Sequence, residues 1–154
     1  NIVIYFSQKG GSFMAKKKVF VSFDYEKDKN YYYLMLAWNE NPNFDFVFSD
    51  YTSKEIKSDS VSTVKRALSR KIGESTYTLV IVGQDANKKH PDSIEIGYRN
   101  WQNYEVAKSI ERGNKIIGVK INNFYSAPEE MLGVGASWAS SFTQDKIISA
   151  LNNA

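Results

Sequence analysis

The chain has 154 residues, 42% hydrophobic and 14% aromatic, enough for one globular domain with its own core and too apolar for a disordered chain. It has no cysteine, which excludes disulfides, thiolate metal sites and a cysteine nucleophile and fits a reducing cytosol; its apolar runs are too short to span a bilayer, and no secretory signal pattern is seen. A net charge of +3, with Lys16-Lys17-Lys18, Arg66, Arg70-Lys71 and Lys88-Lys89 scattered among acids, describes an ordinary solvated surface and not the dense basic footprint of a nucleic-acid binder.

Tyr5-Phe6-Ser7-Gln8-Lys9-Gly10-Gly11-Ser12 resembles a protease site and linker left by an expression vector, and Met14 reads as a native start. Residues 1–13 are therefore set apart from a single domain over 14–154. The alternative is that the β-prone run Ile2 to Phe6 forms an edge strand.

Lys18 to Phe23 is β-branched and aromatic and reads as a strand, followed by a polar loop from Asp24 to Asp28. Residues 28–40 carry Tyr32, Met35, Leu36 and Trp38 in a helical pattern that Pro42 stops. Phe44 to Ser49 reads as a short strand and Asp50 onward as a loop. Ser60 caps a helix with Val61, Val64, Leu68 and Ile72 on one face, and Gly73 ends it. Tyr77 to Val82 is a continuous apolar run, suited to a parallel strand buried on both faces.

After a polar loop from Gln84 to Tyr98, Asn100 caps a helix on which Trp101, Tyr104, Ala107 and Ile110 share a face. Gly113-Asn114 terminates it, and Lys115 to Ile121 is another buried strand. A loop through Pro128 and Gly135 leads to a last helix capped by Thr143, with Ile147 and Leu151 inward. Alternating strands and helices predict right-handed crossovers and an open parallel α/β sheet with helices on both faces. Ligands in such folds sit beyond the carboxyl ends of the strands, here Ser22-Phe23-Asp24, Ser49-Asp50, Gly83-Gln84-Asp85 and Ile121-Asn122.

Few standard signals of chemistry are present. No Walker lysine loop exists, and Gly133-Val134-Gly135-Ala136-Ser137 lacks the third glycine and the preceding strand of a dinucleotide fingerprint, so it reads as a turn. His90 is the single histidine; without a metal-binding or nucleophilic companion it reads as a surface residue. A phosphoacceptor receiver would need paired acids after the first strand, an aspartate ending the third and a lysine after the fifth. Here Asp24 stands alone, the third strand ends at Gly83, and Lys120 lies within its strand. Glu105 remains, four residues after Trp101 on the same side of the helix. On spacing alone a solvated carboxylate favoured by the helix dipole stands ahead of a catalytic one.

The pattern Lys18 to Asp24, Val47-Phe48-Ser49-Asp50, Leu79 to Gly83, and above all Trp101-x-x-Tyr104-Glu105-x-x-Lys108-Ser109-Ile110-x-x-Gly113-Asn114-Lys115-Ile116-Ile117-Gly118-Val119 resembles the TIR-like domains, in particular those of bacterial Thoeris antiphage systems. The resemblance covers residues 16–122. It implies a flavodoxin-like TIR fold and NAD as substrate, with no metal and no resident cofactor. It also implies Glu105 as the catalytic carboxylate and a substrate pocket lined by Phe23, Asp24, Ser49, Asp50 and Trp101. The implied product is a cyclic or conjugated ADP-ribose signal sensed by a separate effector protein. Asp50 to Asp59 stands where the family has a mobile loop of variable sequence.

The residue inventory suits that chemistry. Nicotinamide is joined to ribose as a pyridinium and leaves as a neutral molecule, so no general acid is needed, unlike an ordinary glycoside. One carboxylate can stabilise an oxocarbenium-like transition state, and Phe23 or Trp101 could stack on a ring. Two rivals stand beside this reading. One is a non-catalytic TIR-like module that self-associates, using Tyr31, Tyr32 and Tyr33 as exposed aromatics. The other is a nucleoside deoxyribosyltransferase, which also acts on an N-glycosidic bond with a glutamate.

Overall fold

Strands with two buried faces need a helix layer on each side, and the chain supplies both. The computed structural model describes residues 2–3, 18–38 and 58–154. Its strands are β1 (Ile2–Val3), β2 (Lys18–Ser22), β3 (Tyr77–Val82), β4 (Lys115–Lys120) and β5 (Ser137–Ala139), in the order β1-β2-β3-β4-β5 across one sheet. β2 to β5 run parallel, with Ser22 paired to Val80 and Val80 to Gly118. β1 lies antiparallel on the edge, Ile2 opposite Val19 and Val3 opposite Lys18. The predicted strand at Phe44 to Ser49 lies outside the described residues.

Alternation within the strands sorts the core onto two faces. Val19, Val21, Leu79, Ile81, Ile117 and Val119 point to one side. There they meet Tyr32 and Met35 of α1 (Tyr25–Trp38) and Ile147 and Leu151 of α5 (Gln144–Asn152). Phe20 packs on the other side against Val64, Leu68 and Ile72 of α2 (Val61–Gly73) and Tyr104 of α4 (Trp101–Glu111). Val80, Val82 and Ile116 complete that face with Val106. Burying each such side chain contributes about 1.5–3 kcal/mol, so the two-sided sheet is the main stabilising feature. Ser60, Asn100 and Thr143 cap α2, α4 and α5 as expected, each accepting from a backbone N–H in the first turn.

Three expectations need correction. Residues 25–28 are helix and not loop, because Asp24 caps α1: its Oδ1 accepts from the N–H of Glu26 at 2.9 Å. β5 was not anticipated; three residues after two glycines carry too little pattern, and the strand is held by pairing to β4. Third, the tyrosine run is not a uniformly exposed aromatic surface. Tyr32 is buried and stacked on Phe23 with centroids 4.7 Å apart, Tyr31 packs edge-on against Phe142, and Tyr33 alone of the three is exposed. Helical geometry separates neighbours by about 100°, so a triplet cannot share one face.

Gly83 directly follows β3 and lies against Asp28 in the first turn of α1. A Cβ at Gly83 would collide with the carboxyl group of Asp28. Replacing Gly83 by Ala should therefore destabilise the fold by about 1–3 kcal/mol in chemical denaturation. The cost should shrink in the Asp28→Ala background, because the clashing atoms are then gone; simple additivity of the two changes would contradict this contact.

Candidate functional site

The first turn of α4 decides the geometry of the strand ends. Gln102, Glu105, Val106 and Ser109 are spaced i, i+3, i+4, i+7, and all four are buried. Three are polar, and each is matched. Gln102 Nε2 donates to the carbonyls of Ile81 (3.0 Å) and Ser22 (3.4 Å). Ser22 Oγ donates to Glu105 Oε1 at 2.9 Å. Ser109 Oγ accepts from Thr78 Oγ1 at 2.6 Å and donates to the Glu105 carbonyl at 2.7 Å. Of the face expected to pack, Tyr104 is buried against α2 with Trp101 beside it, while Ile110 at its far end is 40% exposed. Apolar periodicity found the side that meets α2 and missed the stripe toward the sheet, because polar residues carry most of it.

Neighbouring amides build the wall beside this turn. Asn100 Nδ2 donates to the carbonyls of Ala86 and Lys88, each at 2.9 Å, while its Oδ1 accepts from the Asn103 N–H. Asn103 Nδ2 donates to Asn87 Oδ1 at 3.1 Å, and Asn103 Oδ1 accepts from the Glu130 N–H at 3.0 Å. Arg99 Nε donates to the Asn87 carbonyl at 2.6 Å. The segment after β3 is thereby fixed to α4, although most of it lies outside helix and strand.

A cavity of about 760 Å³ opens between this wall and the end of β2, within the usual range for small-molecule sites. Phe23, Asp24, Trp101 and Gln102 line one part of it, and Asp85, Lys88 and His90 another. Trp101 is half-buried and meets Tyr104 edge to face, centroids 5.7 Å apart. His90 is thus a half-buried residue on the cavity wall, its Nδ1 accepting from the Asp92 N–H at 2.9 Å. Ser58 and Asp59 also reach the cavity; Ser49 and Asp50 lie outside the described residues.

Glu105 is not a solvated helix carboxylate. It is 4% exposed and does not itself line the cavity; it lies one turn past Trp101 and is bonded to the residue before Phe23, and Trp101 and Phe23 both do line it. Burial pushes its carboxyl up to about 8 against the opposing Ser22 hydrogen bond. Asp28, buried under the same strand ends, is pushed up to about 6, by burial first and then by Asp24 and Asp85. Its Oδ2 has no hydrogen-bond partner among the described residues. Asp24 is also raised, chiefly by desolvation, with the Lys27 N–H opposing. Among the described residues no group of three or more His, Cys, Asp or Glu is placed to hold a metal ion, and no helix is long and apolar enough to cross a membrane.

Sequence reasoning named Ser22 as part of a strand end without assigning it a role, and missed Gln102, Asn103 and the loop carbonyls, which carry no signal that distinguishes them from solvated polar residues.

This arrangement has known counterparts. Residues 20–125 match the family described as "Thoeris protein ThsB, TIR-like domain", a span that begins within β2 and takes in β3, β4 and the whole of α4. The chain belongs to the Thoeris ThsB TIR-like family. Its open α/β sheet is the TIR-like fold. The chain is also 31% identical over 112 residues to the Bacillus cereus (strain MSX-D12) protein named "Putative cyclic ADP-D-ribose synthase ThsB1". That match takes in 70% of this chain and 53% of the relative, so the chain spans about half the relative's length.

Folding raises Glu105 from an ordinary value near 4.5 to about 8, so the folded TIR-like domain keeps a proton that the unfolded chain releases. The stability tied to this proton is complete below about pH 4.5 and is lost as pH rises through 8. Glu105→Gln cannot ionise; it should change stability little at pH 5 and raise it at pH 9, by on the order of 3 kcal/mol in denaturant titrations. An equal effect at both pH values would mean that the buried carboxyl is not the group responsible.

Proposed function

We propose that this domain cleaves the N-glycosidic bond between nicotinamide and ribose in NAD, with Glu105 as the catalytic carboxylate. The ADP-ribosyl group then passes into a cyclic or conjugated ADP-ribose signal, which a separate effector protein senses in antiphage defence. The observation that carries this reading is Glu105, the one buried glutamate among the described residues, held by Ser22 next in sequence to Phe23 and Asp24, which line the cavity with Trp101. The similarity to a protein named as a cyclic ADP-ribose synthase supports it.

The chemistry places modest demands on the protein. The C1′–N bond breaks with its electron pair going to the pyridinium nitrogen, and neutral nicotinamide leaves. Positive charge develops on the ribose, where the Glu105 carboxylate stabilises it in a site of low dielectric. The ion is then captured by a nucleophile within the same molecule, by another acceptor or by water, and the nucleophile gives up its proton. Phe23 and Trp101 offer aromatic faces for the nicotinamide or adenine ring. Lys88 contributes positive charge to a wall that the diphosphate can approach, while Asp24 and Asp85 provide a complementary pole for the pyridinium. NAD is the substrate here and not a resident cofactor.

Nicotinamide release from NAD, followed chromatographically in the presence of the infection trigger, tests the reading. Glu105→Gln should lower kcat by about 100- to 1,000-fold while leaving NAD binding within a few-fold. Because only the ionised carboxylate acts, kcat/KM should rise with pH on a limb centred near 8, making the rate at pH 6 about 100-fold below that at pH 9. A wild type no faster than the glutamine variant would refute NAD cleavage by Glu105, and mass spectrometry of the products identifies the signal.

A further inference from the structure

We propose that Ser22 is a positioning residue for Glu105: the hydroxyl at the end of β2 fixes the carboxyl behind Phe23 and Trp101 and keeps it available for ionisation. This inference rests on the role proposed for Glu105 above.

The local structure gives the hydroxyl no other evident task. Ser22 follows Val19-Phe20-Val21 on a strand whose other inward positions are apolar, and it is fully buried, as those three nearly are. An alanine would satisfy the packing there. Ser22 instead donates to Glu105 Oε1 at 2.9 Å, the one hydrogen bond to that carboxyl among the described residues. Because Ser22 has no exposure, water does not compete for its hydroxyl.

Ser22 is itself held in place. It pairs with Val80 in the sheet, and its carbonyl accepts from Gln102 Nε2, which also binds the Ile81 carbonyl. The strand end and α4 are thus joined twice, through Gln102 in its first turn and through Glu105 in its second. A glutamate has three rotatable bonds, and this second tie selects one placement for its carboxyl. It also favours the charged form of a group that burial otherwise keeps protonated.

The charges around α4 do not replace it. Lys65 of α2 and Lys108 stand over the Tyr104 ring, at 5.7 and 5.9 Å from its centroid. Tyr104 itself is buried. Glu129 and Glu130 belong to the 3-10 turn (Glu129–Met131) packed on α4. β3 brings no charged residue, and β2 and β4 carry lysine only at their ends.

The test compares the wild type with Ser22→Ala and Ser22→Thr. In Ser22→Ala, kcat for nicotinamide release should fall about 10- to 100-fold with KM for NAD within two-fold, and the acid limb of kcat/KM should move up by about one pH unit. Ser22→Thr restores a hydroxyl and should return the limb toward its wild-type position. Carbon-13 NMR titration of the Glu105 carboxyl needs no activity and should show the same upward shift in Ser22→Ala. An unmoved NMR midpoint overturns the proposal, as does a loss of activity paralleled by lost thermal stability with the pH limb unchanged. If the wild type releases no nicotinamide, NAD cleavage fails, and the NMR titration alone decides whether Ser22 governs Glu105.

Discussion

The cost of burying a carboxyl group organises this domain. Glu105 lies among β2, β3 and α4, where an ionised carboxylate is strongly disfavoured. Among the described residues one hydroxyl bonds the carboxyl, and burial outweighs it, so the group stays protonated through much of the neutral range. Apolar packing alone would tolerate a leucine there more easily. Retaining an acid at that point obliges the rest of α4 to be placed closely, because a small shift would remove its hydrogen bond without giving it water.

The remaining contacts of α4 meet that demand. Gln102 reads two carbonyls on two strands, Ser109 joins a hydroxyl on β3, and Asn114 Nδ2 reaches the Ile72 carbonyl after the helix has ended. Most of these bonds run from a side chain to main-chain atoms or to another buried hydroxyl. They are directional and add little apolar area, so their main effect is to select one register of helix against sheet. The apolar clusters on both faces supply the bulk of the stability, and the polar stripe determines where the helix rests.

This division explains what the sequence made legible. Strands such as Tyr77 to Val82 and caps such as Asn100 were readable because burial on two faces and the geometry of a first turn leave direct residue patterns. The inward face of α4 was not, because Gln102, Glu105 and Ser109 resemble solvated residues until their partners on β2 and β3 are known. The early start of α1 was hidden for a related reason: Asp24 suits a loop and a cap equally well. Of the candidate site, Phe23, Asp24 and Trp101 come together at the cavity, and Glu105 joins them through Ser22 without lining it. Family resemblance drew attention to Glu105, whereas Ser22 and the asparagine network needed three-dimensional pairing to be recognised.

The wall formed by the segment after β3 has a consequence for how such a site can diversify. Asn100 holds that segment through the carbonyls of Ala86 and Lys88, and Arg99 through the carbonyl of Asn87. A carbonyl is the same whatever side chain it accompanies. Lys88, held there by its carbonyl, can therefore be exchanged without dismantling the support beneath it. Shape and selectivity are inherited separately: descendants of one scaffold can accept differently charged substrates, or release different products, while the strand ends and the acid behind them remain where they are.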